Sequence, residues 1–516
     1  MNPEPIAPDA DIPQTRSPAA GMTVKVVKGT LWTLVGLMVP IFFSLFTTPL
    51  VTRLLGADGY GLFVLVLLIP TYFGFADFGM NVASTKFASA AFAEGGRERE
   101  ARIVRTSALI AFMSSLPPAA VMIIFARTIA EIANVPEHQL AEAAVALRLA
   151  GVIFVVNFLN SIFNTPELTR LRMDLNIWIM SGMRLLGLLV TPIVVYLGGG
   201  VIGAVIVALC VSLFTLASHL VVSARLLPEM LGFSIDRESI RPMIKFGGPL
   251  VISGIAGVLL INLEKFVLAR VTSVETLAYY SIAAAFASML TLFSGSMVQS
   301  LFPAFAQLQS EENRPALNTL YSRGIRLTLI WLVPVVVFMI LAGRPFFTYW
   351  FSPVFGREST GPFYITVLGL VFNVLAYFPY SVIMASGRSE IFAKVYWIEL
   401  LPYILLVWLM ASRFGASGAA AAWSLRVVFD TVFLFVIASR IGGVSYTQQH
   451  ISAFLAAVAV MLIPLAAMIY FQGLNAWTIL IAFAAAAVYG FIVLKRVLEK
   501  EEIAWVRNKL AVYLPK

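Results

Sequence analysis

The chain has 516 residues, of which 60% are hydrophobic and 12% charged, with a mean hydropathy of +0.89. A soluble domain carries about 25% charged residues, so this chain has too little polar surface to coat a water-soluble globule and enough apolar sequence to cross a bilayer many times. Its formal charge of +9 is scattered through short loops between apolar runs, which excludes a basic nucleic-acid-binding face and is how membrane topology is written. The single cysteine, Cys210, sits in an apolar run, and His138, His219 and His450 are far apart. No intramolecular disulfide, metal centre or cofactor is expected from such a set.

Residues 1–22, rich in Pro, Ala and polar residues without an apolar period, read as a disordered cytoplasmic tail. A membrane-crossing helix needs about 20 mostly apolar residues. Fourteen such spans are predicted, at 29–52, 60–80, 104–126, 143–164, 175–197, 200–222, 246–269, 276–302, 325–343, 363–385, 391–412, 417–439, 451–471 and 475–494. The longest polar-leaning stretches between them, 86–103, 223–245 and 303–324, are too small to fold as soluble catalytic domains. Of the 36 Lys and Arg, 26 fall on the tails and every second loop, six on the opposite loops and four (Arg148, Arg184, Lys265, Arg426) within spans. That asymmetry places both termini in the cytoplasm of a multi-pass inner-membrane protein. The closing stretch 495–516 mixes Lys and Arg with Trp505, Leu510 and Tyr513 and reads as an interfacial helix on the inner leaflet.

Shifting the chain by 217 residues superposes Lys28 on Lys245, Arg53 on Arg270, Asp58 on Glu275, Met80 on Met297 and Gly198 on Gly415. The nearly constant shift argues for two related six-helix halves in parallel orientation. The expected division is an N-lobe at 23–224, a C-lobe at 225–440, two added helices at 441–494 and a tail at 495–516. The fold class is therefore an all-α integral membrane protein of about 14 transmembrane helices in two pseudo-symmetric six-helix lobes plus an extra C-terminal pair.

The run Lys28-Gly29-Thr30-Leu31-Trp32 and the turn Arg53-Leu54-Leu55-Gly56-Ala57-Asp58-Gly59-Tyr60-Gly61 resemble bacterial polysaccharide-biosynthesis membrane proteins. These are the O-antigen-type oligosaccharide flippases of the multidrug/oligosaccharidyl-lipid/polysaccharide exporter superfamily. Ala76-Asp77-Phe78-Gly79-Met80 and Asn262-Leu263-Glu264-Lys265-Phe266 extend the resemblance, which covers about residues 23–440. It implies two lobes forming a V around a cavity that opens alternately to each side. The implied cargo is an oligosaccharide on a polyprenyl pyrophosphate, flipped from the cytoplasmic to the periplasmic leaflet for surface or exopolysaccharide synthesis. The implied partners are membrane lipids, a polysaccharide polymerase and glycosyltransferases.

Charges kept within spans cost about 2.5–3.5 kcal/mol at the bilayer centre on the mildest scale, so they head the list of site candidates. Arg184, flanked by Ser181 and Gly182 near the middle of the fifth span, can grip a phosphate bidentately or tie helices together through a carboxylate. Glu399, nearly equivalent in the repeat, is a candidate to pair with Arg184 across the lobes or to take up a proton. Arg426 and Asp430, four apart on one helix face, read as an internal ion pair. Glu264 and Lys265 are adjacent, so one is expected in the cavity and the other at the periplasmic interface. Glu264, Glu399 and Asp430 are the carboxyls available for ion coupling. Arg148 is a weaker cavity candidate, and Lys28 and Lys245 form either a basic cytoplasmic mouth or plain positive-inside anchors. Asn157, Asn160 and Asn164 make a polar stripe suited to sugar hydroxyls or to a neighbouring helix, and Asp77 reads as a solvated helix-end carboxylate.

Two other readings compete. A drug or metabolite antiporter shares the two-lobe plan but usually stops at twelve helices. A membrane-embedded glycosyltransferase or polymerase needs acidic residues in a substantial periplasmic loop, which 127–142 and 344–362 do not supply. The chain is therefore expected to be a transporter and not an enzyme.

Overall fold

The computed structural model describes residues 18–232, 235–291, 305–308, 311–388, 390–445 and 451–499, and among them it is helical with no strand. Nine helical stretches of the described residues are long and apolar enough to cross a membrane. Three of these, Met38–Tyr72, Met173–Leu226 and Glu390–Gly442, each hold two of the expected spans. Glycines break them. Gly56 has φ +72 and ψ 174, Gly198 has φ +91 and Gly415 has φ +54, a region L side chains avoid. The chain reverses at these points. A Cβ on Gly418 would lie 1.9 Å from the Met410 carbonyl oxygen, whereas eight residues of straight helix would separate them by about 12 Å. The seventh expected span lies within Arg237–Val271, and the eighth opens as Val274–Ala287, its continuation at 292–304 being outside the described residues.

The second span departs from expectation. It breaks after Tyr72, where Gly74–Asp77 forms a 3-10 turn and Phe78 and Gly79 take φ +48 and +66, and it resumes as Met80–Ala93. Asp77 sits at the break as a cap: its Oδ2 accepts from the Asn81 amide at 3.3 Å. The polar-leaning stretch 86–103 is consequently mostly helix.

Packing sorts most helices into two groups. Arg97–Ile124, Leu140–Phe163, Met173–Val194 and Gly200–Leu226 pack on one another and on the first helix, while Arg237–Val271, Thr360–Ala385 and Glu390–Gly442 form a second set. Ile451–Tyr470 pairs with Ala476–Ile492 and leans on Arg314–Phe346, with Tyr489 Oη donating to the Ile330 carbonyl at 2.8 Å. The two groups meet firmly at one end. There Arg53 donates to the carbonyls of Phe351 and Tyr349, both at 2.7 Å, and Trp350 Nε1 donates to that of Leu45 at 2.5 Å. Asn134 Nδ2 donates to the Thr272 carbonyl at 2.8 Å. Gly61 lies so near the Val274 carbonyl that a Cβ would approach it to 1.8 Å, so a side chain there would force the two groups apart.

At the opposite end a polar cluster is buried. Arg170 clasps Glu100 through Nη1–Oε1 at 2.6 Å and Nη2–Oε2 at 3.1 Å, and Thr169 Oγ1 adds a bond to the same carboxylate at 3.2 Å. His219 Nδ1 and Glu167 Oε1 lie 2.9 Å apart, both fully buried. These bonds tie three helices, Arg97–Ile124, Thr165–Thr169 and Gly200–Leu226, which locks the group as a unit. Removing one partner of a buried ion pair costs about 3–5 kcal/mol. Glu100→Ala is therefore expected to lower the melting temperature of the detergent-solubilised protein clearly, with Glu100→Gln intermediate, as read by fluorescence-detected size exclusion after heating.

Candidate functional site

The space between the two groups is a cavity of two joined chambers. One, of about 710 Å³, is lined from the N-terminal half by the helices carrying Thr48, Asn157, Arg184 and Ser212. The other, of about 970 Å³, is lined mainly from the C-terminal half by helices carrying Lys265, Tyr280, Tyr377, Tyr396 and Arg426. Tyr60, Phe63, Leu67, Ala285 and Ser288 line both, so the chambers are continuous.

Arg184 projects into the first chamber from the face of Met173–Val194 that also presents Gly187, Leu188 and Thr191. It lies eleven residues into that helix, about 16 Å from its start, which is half the thickness of a bilayer core. Among the described residues no carboxylate lies within salt-bridge distance of it, and it is the only charged side chain lining this chamber. Asn157 lines the same chamber. Asn160 does not: it is buried and donates to the Ser212 carbonyl at 3.2 Å and to Asn157 Oδ1 at 3.3 Å. It therefore ties two helices and steers Asn157, and it is not a sugar ligand. Asn164 also stays out of the lining; its backbone carbonyl opens the short helix Thr165–Thr169.

The second chamber is built on helical spacings of three and four, which put residues on one face. Trp423, Arg426, Asp430 and Leu434 line it from one helix segment and Asn373, Tyr377 and Tyr380 from another. Arg426 does not pair with Asp430. Its Nη1 meets Glu399 Oε2 at 3.4 Å, and its guanidinium lies over the Tyr403 ring at 5.2 Å. The reversal at Gly415 brings the two helix faces together, so a carboxylate 27 residues away wins over the one four residues away. Glu399 accordingly meets Arg426 within the C-terminal half, and the pairing with Arg184 is not made. The carboxyls of Glu399 and Asp430 are neighbours, and Glu399 Oε1 and Asp430 Oδ1 are buried without an N–H or O–H donor among the described residues.

Glu264 and Lys265 both border this chamber, contrary to the expected split between cavity and interface. Glu264 is 2% exposed because Tyr403 Oη donates to it at 3.0 Å and Tyr280 Oη at 3.3 Å. Lys265 Nζ turns to Asn262 Oδ1 at 2.9 Å. Arg148 is exposed and lines neither chamber; about two turns from its helix start, its long side chain reaches the interface. Lys245 is exposed and lines neither chamber, and the side chain of Lys28 lies outside the described residues.

Sequence reasoning missed the neutral part of the second chamber, namely Asn373, Tyr377, Tyr380, Tyr396 and Trp423. The signal was available for two of them, since Trp423 precedes Arg426 by three residues and Tyr396 precedes Glu399 by three.

This architecture is that of a multi-pass helical transporter, and the chain belongs to the polysaccharide biosynthesis protein family, which residues 26–309 match. It is 21% identical over 429 residues to the "Putative O-antigen transporter" of Shigella flexneri, covering 82% of this chain and 99% of that protein. It is also 21% identical over 432 residues to the "Uncharacterized membrane protein EpsK" of Bacillus subtilis (strain 168), covering 80% and 82% respectively. Among solved structures it is similar to the lipid II flippase MurJ in an inward closed conformation, with TM-score 0.69 and 15% identity over 90% of this chain and 99% of that one. It is likewise similar to an inward-facing multidrug resistance MATE family transporter of the MOP superfamily, with TM-score 0.64 and 15% identity over 79% and 98%. These likenesses establish the fold.

Removing Arg426 leaves the Glu399 carboxylate buried without its cation. Arg426→Ala is expected to lower thermal stability more than the double variant with Glu399→Gln does, a positive coupling read from a double-mutant cycle of melting temperatures. Additive losses would show that the pair acts independently.

Proposed function

We propose that the protein flips polyprenyl-pyrophosphate-linked oligosaccharides from the cytoplasmic to the outer leaflet by alternating access. The observation that carries this reading is Arg184, a guanidinium without a carboxylate partner among the described residues, at bilayer mid-depth in a chamber whose lining also holds Asn157 and several hydroxyls. An unpaired cation in hydrocarbon is costly, and one that faces a hydrated chamber stays available to an anionic ligand, for which a planar two-donor fork fits a diphosphate. The family and its named relatives support a carrier of lipid-linked glycans. An antiporter for cationic drugs fits less well, because Arg184 repels such cargo.

In this reading the N-lobe is 23–224, the C-lobe 225–440 and the helices of 441–494 an addition. Both termini are cytoplasmic, as the Lys and Arg distribution supports, so the end joined by Arg53, Trp350 and Asn134 faces the periplasm. The glycan delivered outside is a substrate for a polymerase. If transport draws on an ion gradient, the neighbouring carboxyls of Glu399 and Asp430 are the place for a proton or small cation to bind, with Glu264 held in reserve by its two tyrosines.

In vesicles containing the purified protein, a lipid-linked oligosaccharide is expected to change leaflet with its mass unchanged; a changed mass would favour an enzyme. Arg184→Ala is expected to lower the flipping rate about tenfold or more, the weight of a charge-assisted hydrogen bond, and Arg148→Ala to leave it within about twofold. Equal losses would remove Arg184 from the site.

A further inference from the structure

Resting on the flippase reading, we infer that the two chambers divide the cargo: the diphosphate is held in the N-terminal chamber, and an uncharged, hydroxyl-rich glycan is held in the C-terminal one. Charge distribution is the first argument. The N-terminal chamber has one charged lining residue, Arg184, and so carries a formal charge of +1. The C-terminal chamber is lined by two acids, Glu264 and Asp430, and two bases, Lys265 and Arg426, which cancel formally. Its cations are already engaged: Arg426 with Glu399 and Lys265 with Asn262. An anion gains more in the first chamber, and an acidic sugar finds no spare cation in the second.

Surface chemistry is the second argument. Tyr377, Tyr380, Tyr396 and Trp423 line the C-terminal chamber, Tyr380 with its ring packed on Phe392, and no side-chain hydrogen bond within the protein claims their hydroxyls or indole N–H among the described residues. The Asn373 amide is equally unclaimed. Five such groups, none of them sealed from solvent, surround one space and are free to exchange water for a ligand rich in donors and acceptors. Flat apolar faces with polar rims suit pyranose rings, whose C–H faces are apolar and whose edges carry hydroxyls. In the N-terminal chamber the hydroxyls of Ser44, Thr47 and Thr191 are bonded to carbonyls of their own helices, which leaves those of Thr48 and Ser212 unclaimed among the described residues.

Joined at Tyr60 and Phe63, the chambers fit the covalent order of the cargo, in which the first sugar is attached directly to the diphosphate. Arg184 thus anchors an invariant part of the substrate, and the C-terminal chamber reads the part that varies. Specificity for the repeat unit is then a property of Asn373, Tyr377, Tyr396 and Trp423.

Photo-crosslinking in cells that make the lipid-linked oligosaccharide tests this division whatever the identity of the glycan. The full chain carries Leu188→p-benzoylphenylalanine, in the N-terminal chamber, or Tyr377→p-benzoylphenylalanine, in the C-terminal one. Adducts are weighed before and after mild acid, which cuts the bond between sugar and diphosphate. At 377 the mass retained after acid is expected to be neutral sugar alone; at 188 it is expected to be polyprenyl diphosphate. Trp423→Leu is expected to lower the adduct yield at 377 about tenfold and leave that at 188 within about twofold, and Arg184→Ala to lower both about tenfold. Diphosphate retained at 377, sugar alone at 188, or a carboxylate-bearing glycan at 377 would overturn the division while leaving the flippase reading in place. A failure of both positions to capture any prenyl diphosphate species would overturn the flippase reading itself.

Discussion

A guanidinium with no carboxylate beside it among the described residues, halfway along a membrane-spanning helix, constrains everything around it. In hydrocarbon its cost is several kcal/mol on any scale, so the helices about Arg184 must leave it a polar space. They do so with small and hydroxylated neighbours, Gly187, Thr191, Thr48 and Ser212. The same requirement explains Asn160, which gives no atom to the cavity but holds Asn157 toward it. An open chamber weakens the packing of its own walls. The buried Arg170–Glu100 clasp and the Glu167–His219 contact at one end of the same helix group supply rigidity away from the opening.

The C-terminal half solves the same problem in the opposite way. Its charges are matched internally: Arg426 by Glu399, and Glu264 by two tyrosine hydroxyls. Helices that correspond in the 217-residue repeat therefore share backbone features and differ in chemistry. Gly198 and Gly415 both carry positive φ at a reversal, while Arg184 is unpaired and its near-equivalent Glu399 is paired. Backbone symmetry gives two walls that can rock against each other; side-chain asymmetry lets each wall hold a different part of one ligand.

Much of this was legible in the sequence, for identifiable reasons. Hydrophobic run length marks spans because the bilayer sets it, and glycines mark reversals because only they take positive φ freely. In-span charge is so costly that it predicts proximity to a cavity, and Arg184, Glu264, Lys265, Arg426 and Asp430 all line one. Partner choice was not legible. Arg426 could be assigned to Asp430 by spacing, but the fold at Gly415 offers it Glu399 instead. Arg148 satisfies the same compositional rule as Arg184 and ends at the exposed surface, because a residue two turns from a helix end can reach water and one at mid-depth cannot. Aromatic residues were the least legible, since Tyr377 facing a cavity and Trp178 facing outward look alike in an apolar run.

Alternating access also requires that the closed end can open. Beside apolar packing in which Val274 and Leu277 share one core with Leu62, Leu65 and Val66, the polar contacts described across it are hydrogen bonds to backbone carbonyls from Arg53, Trp350 and Asn134, with no ion pair between the two groups at that end among the described residues. Each such bond contributes about 0.5–1.5 kcal/mol net, and somewhat more from a charged donor, so the set amounts to a few kcal/mol. That is the range over which a ligand's unequal affinity for two states shifts a population from one to the other. Gly61 makes the contact intimate, since the absence of a side chain lets the helix meet the Val274 carbonyl directly. A gate with no ion pair across it and a cavity in which Arg184 has no carboxylate partner, both among the described residues, are therefore complementary parts of one device, because an anion held at Arg184 more tightly in one state than in the other shifts the balance between them.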